Sequence, residues 1–416
     1  MIRNIHSLFI SLYCLSIHIV APFNKKAKQW VEGRKAWRSK LESKLKFLPK
    51  ERIWMHCSSL GEFEQGRPVL DALRREYPSK VIILSFFSPS GYNIRKNYPG
   101  ADVVSYLPCD TRQNAITFVK MVKPELSIFV KYDLWLNYFI ALKELKLPII
   151  IISVLIKQPL KGVFQRLYNL RCYQLMDKIF VQDQQSLTYL ASAGISHTEV
   201  AGDTRIDRVT ALPLEASNKD LSAVELFKDN KKLMVCGSTW PRDEEVLMSL
   251  FESPHFNDWK AIIAPHEIDN DKIIELENNL GSSSIRLSKL DFDTAANYRY
   301  LIVDSVGQLS TLYSQGTLAY IGGGFGKGIH NTLEPAAFVL PVIIGPQYKK
   351  FQEANHLVSV KAFISILNKE QLIKAFEYYQ NASFYKDAVQ QIIDYIYQNQ
   401  GASNKIINYI KSQLLK

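Results

Sequence analysis

Glu62 is the first side chain placed to do chemistry. It ends the stretch His56-Cys57-Ser58-Ser59-Leu60-Gly61, which follows the apolar-aromatic run Ile53-Trp54-Met55. A strand that ends in such a turn aims the next side chains into a cleft, where a carboxylate can take a proton from a bound hydroxyl. A carboxylate in the first turn of a helix also gains from the helix dipole, so spacing alone leaves a base and a helix-start role both open.

Two later stretches repeat a strand, small-residue turn, helix grammar: "CGSTWPRDEE" at 236–245 and "GGGFGKGIHN" at 322–331. The second fits neither the dinucleotide fingerprint nor the P-loop, because Gly328 stands where Ser or Thr would follow Lys327. A glycine-rich turn leading into a helix still presents N–H groups to an anion; a plain turn is the other reading. Candidate anion ligands are Ser238 and Thr239 at one helix start and Gly323, Gly324, Asn331 and Thr332 near the other.

The five cysteines (Cys14, Cys57, Cys109, Cys172, Cys236) form no CxxC pair and lie at no zinc spacing to a histidine. They read as reduced thiols, mostly in the core, and no metal site is expected.

These groups need elements to carry them. Short β-rich runs, among them 81–85, 126–130, 148–153, 178–181, 232–236, 260–264, 300–304, 318–323 and 341–345, alternate with helix-compatible stretches. Continuous apolar runs are the mark of parallel strands buried on both faces. The expectation is two doubly wound, Rossmann-like α/β domains facing a cleft, which suits a chain of 416 residues. The boundary falls where polar residues and a proline interrupt periodicity at 210–225, giving domains 24–215 and 216–416. The tail beyond about 370 reads as helix throughout.

With 47% apolar and 22% charged residues, a largely disordered chain is excluded. The net charge of +11 is concentrated between Asn24 and Arg52, where eleven Lys and Arg face three acids. This basic arm directly follows nineteen residues, Ile5 to Phe23, without Asp, Glu, Lys or Arg. That order points to anionic lipid rather than nucleic acid. Residues 1–23 are expected to anchor the chain as a helix, spanning or lying in the plane of the bilayer. Residues 25–48, with Trp30, Trp37, Leu41, Leu45 and Leu48 at helical spacing, predict a basic amphipathic helix on the bilayer surface or packed on its own domain. The positive flank keeps the bulk of the chain on the cytoplasmic side.

Eight short motifs in order resemble the 3-deoxy-D-manno-octulosonic acid (Kdo) transferases: "HCSSLGE", "SPSG", "YLPCD", "YDLWLN", "VAGDTRIDRV", "GSTWPRDEE", "VDSVGQLSTLY" and "GGGFGKGIHNTLEPAAFVLPVIIGP". The resemblance runs from the amino-terminal anchor to about residue 356. It implies a GT-B glycosyltransferase that moves Kdo from CMP-Kdo to the lipid A precursor, inverting and without metal or other cofactor, at the cytoplasmic face of a bacterial inner membrane. By that resemblance Glu62 is the catalytic base. Ser58, Ser59, Lys131, Asp133 and Lys157 lie on the acceptor side, and Ser238, Thr239, His266, Gly323, Gly324, Asn331, Thr332 and Glu334 on the donor side. Glu334 would accept the ribose hydroxyls as a buried carboxylate, or serve as a helix-start carboxylate.

Some residues depart from the family pattern. Lys131 stands where many members have an acid, "APHEIDN" lacks the Arg of an Arg-His pair and leaves His266 to act alone, and Lys157 stands in for an Arg in "SVLIKQP". The rival readings are a GT-B transferase or epimerase using a UDP-sugar, and a non-catalytic peripheral membrane scaffold.

Overall fold

In this computed structural model residues 2–156 and 162–415 are described; Lys157 lies outside them. Contacts divide the chain into two units, Met1–Arg208 with Gln400–Lys416, and Val209–Asn399.

In the first unit the Ile- and Val-rich runs become parallel strands: β1 (Arg52–Cys57), β2 (Val81–Phe86), β3 (Val103–Tyr106), β4 (Leu126–Val130), β5 (Ile149–Val154), β6 (Lys178–Val181) and β7 (Thr198–Val200). Their order is β3-β2-β1-β4-β5-β6-β7. Every residue of β1, β2, β4 and β5 is buried, since helices cover both faces of the sheet. Chain direction across the sheet reverses between β1 and β4, the place where open α/β sheets leave a crevice beyond the strand ends.

The second unit repeats the plan with β8 (Lys232–Thr239), β9 (Trp259–Pro265), β10 (Ser284–Arg286), β11 (Tyr300–Ile302), β12 (Leu318–Ile321), β13 (Val342–Ile344) and β14 (Phe363–Ser365). All pairings are parallel, in the order β10-β11-β9-β8-β12-β13-β14. Its switch point lies between β8 and β12.

The expected boundary at 215/216 falls instead at 208/209, and residues 400–416 leave the second unit for the first. The physical reason is a cap and a core. Asp207 accepts the N–H groups of Gly401 (2.5 Å) and Ser403 (2.6 Å) at the start of the helix Ala402–Gln413. That helix buries Ile406, Ile407 and Ile410 in the cluster that holds Ile53, Met55 and Leu70.

Three features of the amino terminus bear on the expectation. The helix Ile2–Val20 is not long and apolar enough to cross a membrane, nor is any other single helix among the described residues. One edge of it is fastened by polar contacts: Arg3 Nε to Asn137 Oδ1 (3.0 Å), His6 Nε2 with Asp110 Oδ2 (2.6 Å) and Asn137 Nδ2 to Ser7 Oγ (3.3 Å). Leu8, Phe9, Leu12, Leu15 and Ile19 are exposed. Second, the basic stretch forms two helices, Lys25–Arg34 and Trp37–Leu45, broken at Ala36, whose φ is 52°. Their apolar residues Trp30, Leu41 and Leu45 are buried in the unit itself. Arg34 holds the first helix down by donating to the carbonyls of Leu107 (2.9 Å), Trp30 (3.2 Å) and Phe87 (2.7 Å). Third, Cys14 and Cys109 are paired as a disulfide rather than reduced, because the docked helix brings them together; Cys57, Cys172 and Cys236 are free and buried.

Candidate functional site

At the end of β1 the chain turns into the helix Leu60–Glu76. Ser59 caps it: its hydroxyl accepts Glu62 N–H (3.4 Å) and donates to Glu62 Oε2 (2.7 Å). Glu62 therefore takes the helix-start place, and its exposure keeps available the other role that its spacing left open. It sits in the first turn of a helix, and it is half-exposed at the switch point of the first sheet.

The next strand along, β4, is followed by Lys131 in the left-handed region (φ 66°), and that turn sends Asp133 back toward β1. Asp133 accepts the N–H of Ser58 (2.7 Å) and the hydroxyl of the same serine. Burial, and then the charge of Glu62, push the Asp133 carboxyl well above the usual range. Lys131 lies with its ammonium 5.3 Å from the centre of the Tyr132 ring. Ser58, Ser59, Glu62 and Asp133 are thus brought together.

Behind them runs a buried relay that sequence reasoning missed. Trp54 Nε1 donates to Ser85 Oγ (2.8 Å), which meets His56 Nδ1 at 2.8 Å, and His56 Nε2 lies 3.8 Å from Asp133 Oδ2. Burial and then the nearby Arg34 hold His56 down to about 3, so it is neutral. The available signal was its position in β1: a histidine two residues before Ser58 on the same strand face.

In the second unit, β8 ends in a register shift, with Ser238 at φ 53°. This kink lets Gly322 approach: a Cβ there would lie 2.3 Å from the Ser238 carbonyl oxygen. Thr239 donates its hydroxyl to Glu244 (2.8 Å). Asp243, which sequence reasoning passed over, is the hub of this end of the sheet. It accepts Trp240 N–H (3.0 Å), Gly323 N–H (2.8 Å) and the Tyr320 hydroxyl (2.8 Å). Its place three residues into a helix start was the readable signal.

The glycine turn uses many of its own N–H groups. Gly323 donates to Asp243, Gly326 and Gly328 to Gly323 O (3.0 and 3.2 Å), and His330 to Gly322 O (3.2 Å). Gly324 serves packing, since a Cβ on it would stand 2.6 Å from Gly345 Cα. The helix that follows, Leu333–Ala337, is a single short turn. Glu334 is half-exposed rather than buried and accepts from Asn331 Nδ2 (2.9 Å), while Asn331 Oδ1 accepts Leu333 N–H (3.1 Å). The Thr332 hydroxyl is buried and has no hydrogen-bond partner among the described residues.

His266 lies in a stack of rings. Its ring stacks on His330 (centroids 4.1 Å) and on Trp240 (4.8 Å), and Trp240 Nε1 donates to His330 Nε2 (3.0 Å). Burial and then His266 lower His330 to about 4. The three rings line the ends of β8, β9 and β12.

Comparison with known proteins supplies context. Residues 33–208 match the family described as 3-Deoxy-D-manno-octulosonic-acid transferase (kdotransferase). A 3-deoxy-D-manno-octulosonic acid transferase of Rickettsia conorii is 26% identical over 369 residues, 86% of this chain and 78% of that one. One of Chlamydophila psittaci is 28% identical over 335 residues, 78% and 76% of the two chains. Among solved structures, a putative UDP-N-acetylglucosamine 2-epimerase from Listeria monocytogenes superposes with a TM-score of 0.59 at 13% identity, over 88% of this chain and 97% of that one. That likeness shows the fold, an α/β fold of GT-B type with two Rossmann-like units.

Proposed function

We propose that this chain, a relative of the Kdo transferases by sequence, is a glycosyltransferase that moves Kdo from CMP-Kdo onto the lipid A precursor. The observation that carries the reading is Glu62. Within the region that matches the family, it is presented at the switch point of the first sheet by a capped helix whose entry turn is fastened by Asp133.

In the proposed step the acceptor hydroxyl gives its proton to the Glu62 carboxylate as its oxygen bonds to the anomeric carbon of Kdo. The bond from that carbon to the CMP phosphate breaks, and CMP leaves. A single displacement of this kind inverts the anomeric centre. Asp133 and Ser58 hold the turn, and the neutral His56 keeps uncompensated charge away from it. On the donor side the leaving phosphate is met by side chains rather than by the self-satisfied glycine turn. Ser238, His266, His330 and Asn331 supply the polar groups, and Glu334 takes the ribose hydroxyls. No metal or cofactor is required by this reading.

The chain is read as a monotopic protein of the cytoplasmic face of the inner membrane. Supporting it are the exposed apolar side of the helix Ile2–Val20, the exposed Phe23 and Phe47, and the basic stretch between them.

The test is CMP release from CMP-Kdo with and without the lipid acceptor. Acceptor-dependent release is expected. Uridine-nucleotide selectivity in a competition assay would replace the reading with the UDP-sugar alternative, and no release with either donor would leave a membrane scaffold.

A further inference from the structure

Beside the basic helices lies a hollow of about 370 Å³. It is formed where the helix Trp37–Leu45 crosses β3 and the helix Pro89–Arg95. Lys40 and Lys44 both line it, one helical turn apart. Like charges at that spacing repel, and no carboxylate lines the hollow. Lys44 Nζ gives one of its N–H groups to Val104 O (2.8 Å), which fixes the ammonium in place. Burial and then Lys40 hold its pKa below the ordinary lysine value. Ser105, also on the wall, has a buried hydroxyl without a hydrogen-bond partner among the described residues. An unmet buried hydroxyl is costly, and a ligand that bonds to it removes that cost.

The walls are aromatic and built. Tyr92 and Tyr106 stack with centroids 4.1 Å apart, and Trp37 faces the same space. The Tyr106 ring lies against Gly33 so closely that a Cβ there would be 2.3 Å away. Behind the ring stands the guanidinium of Arg34, 5.0 Å from its centre, adding fixed positive charge. Two ammonium groups, an orphan hydroxyl and aromatic walls suit a compact anion on an apolar stem. Phe47, three residues past Lys44 in the chain, is 86% exposed.

We propose that this hollow binds a phosphate monoester, held by Lys40, Lys44 and Ser105, and that the ester is the headgroup of a membrane lipid. The proposal rests on the membrane reading above for the lipid source and not for the site. It adds headgroup selectivity to what the basic stretch would otherwise supply, which is attraction to any anionic surface.

Flotation of the full chain with vesicles tests it, using phosphatidate and phosphatidylglycerol vesicles matched for surface potential. The expected preference for phosphatidate is roughly ten-fold, the worth of one charge-assisted hydrogen bond. Lys40→Gln with Lys44→Gln should abolish the preference. Lys25→Gln with Lys26→Gln removes the same charge outside the hollow, and should weaken binding to both vesicles and keep their ratio. Ser105→Ala, which removes a costly hydroxyl without a partner among the described residues, should lower the preference while thermal stability is kept or raised. A ratio that survives the first pair, or is lost equally in the second, would overturn the proposal and leave the general membrane attraction standing. The short-chain dihexanoyl phosphatidate and inorganic phosphate complete the test, read by fluorescence with Trp37→Phe as the blank. Saturation by dihexanoyl phosphatidate with no flotation on any vesicle would sink the membrane reading and keep the site. Saturation by inorganic phosphate alone would keep the anion site and overturn its assignment to a lipid, and saturation by neither would overturn the site.

Discussion

The Asp133 carboxylate, carried just past the end of β4, accepts both the main-chain N–H (2.7 Å) and the hydroxyl of Ser58 at the end of β1. This pair closes the switch point of the first sheet and sets the turn from which Glu62 projects. Asp133→Asn keeps the shape but turns one acceptor into a donor, which then faces a donor of Ser58. Unfolding in denaturant should show a loss of about 1 to 3 kcal/mol. Turnover should fall while CMP binding is kept. A variant as stable and as active as the parent would show that the pair does not hold the turn.

Glu62→Gln tests the base directly. The amide oxygen can still accept from the Ser59 hydroxyl that Glu62 now engages at 2.7 Å, so the helix start survives. What is lost is proton acceptance, and Kdo transfer should drop roughly 100-fold or more. Thermal unfolding and transfer measured on one preparation separate the roles: near-normal transfer with a lowered melting point would reduce Glu62 to a helix-start carboxylate.

The acid side of the stability curve should carry the mark of His56. It is held neutral in the fold, down to about 3, and is free to protonate near 6.5 once unfolded. Unfolding therefore takes up a proton between those values. The stability tied to the neutral ring is complete above about 6.5 and is lost as pH falls toward about 3. One buried group of this kind can add at most about 1.4 kcal/mol per pH unit. His56→Gln should flatten that limb in urea unfolding measured from acid to neutral pH; an unchanged slope would mean that the ring protonates in the fold.

Gly324 and Gly326 lie two residues apart in the same turn and should respond unequally to alanine. At Gly324 the new carbon would stand 2.6 Å from Gly345 Cα, main chain against main chain, with no flexible group to give way. At Gly326 the nearest atom would be 3.6 Å away. Gly324→Ala should cost about 1 to 3 kcal/mol and weaken CMP binding, whereas Gly326→Ala should be close to neutral. Calorimetry with and without CMP reads both; equal effects would argue against the close approach of the two loops.

Membrane attachment should reside in the exposed side of the first helix. Leu8→Ser, Leu12→Ser and Leu15→Ser together change residues that are 61%, 54% and 58% exposed, and leave the His6–Asp110 contact in place. The triple variant should move largely to the soluble fraction, and salt should release most of what stays bound. Salt-resistant retention of the folded variant would contradict the in-plane account.

The sequence by itself determined the two α/β units, because buried parallel strands need uninterrupted apolar runs: 126–130 and 178–181 are strands from end to end as read. Strands β3, β7, β10 and β14 were not legible; they have only three or four residues, and their ladder partners rather than their own pattern hold them extended. The Ser58-Ser59-Leu60-Gly61-Glu62 turn was readable because a cap and its helix are local in the chain. Tertiary structure alone decided what joins residues distant in sequence. It brought Asp133 to Ser58 across seventy-five positions, stacked His266 on His330, and put Cys14 beside Cys109. It also returned the last helix to the first unit through Asp207. Such pairings follow from strand order and helix docking, which local spacing does not encode. For the same reason the apolar face of the basic helices, whose periodicity was plain, turned to the first unit's core: periodicity says that a face is apolar, and only the neighbouring surface says what covers it.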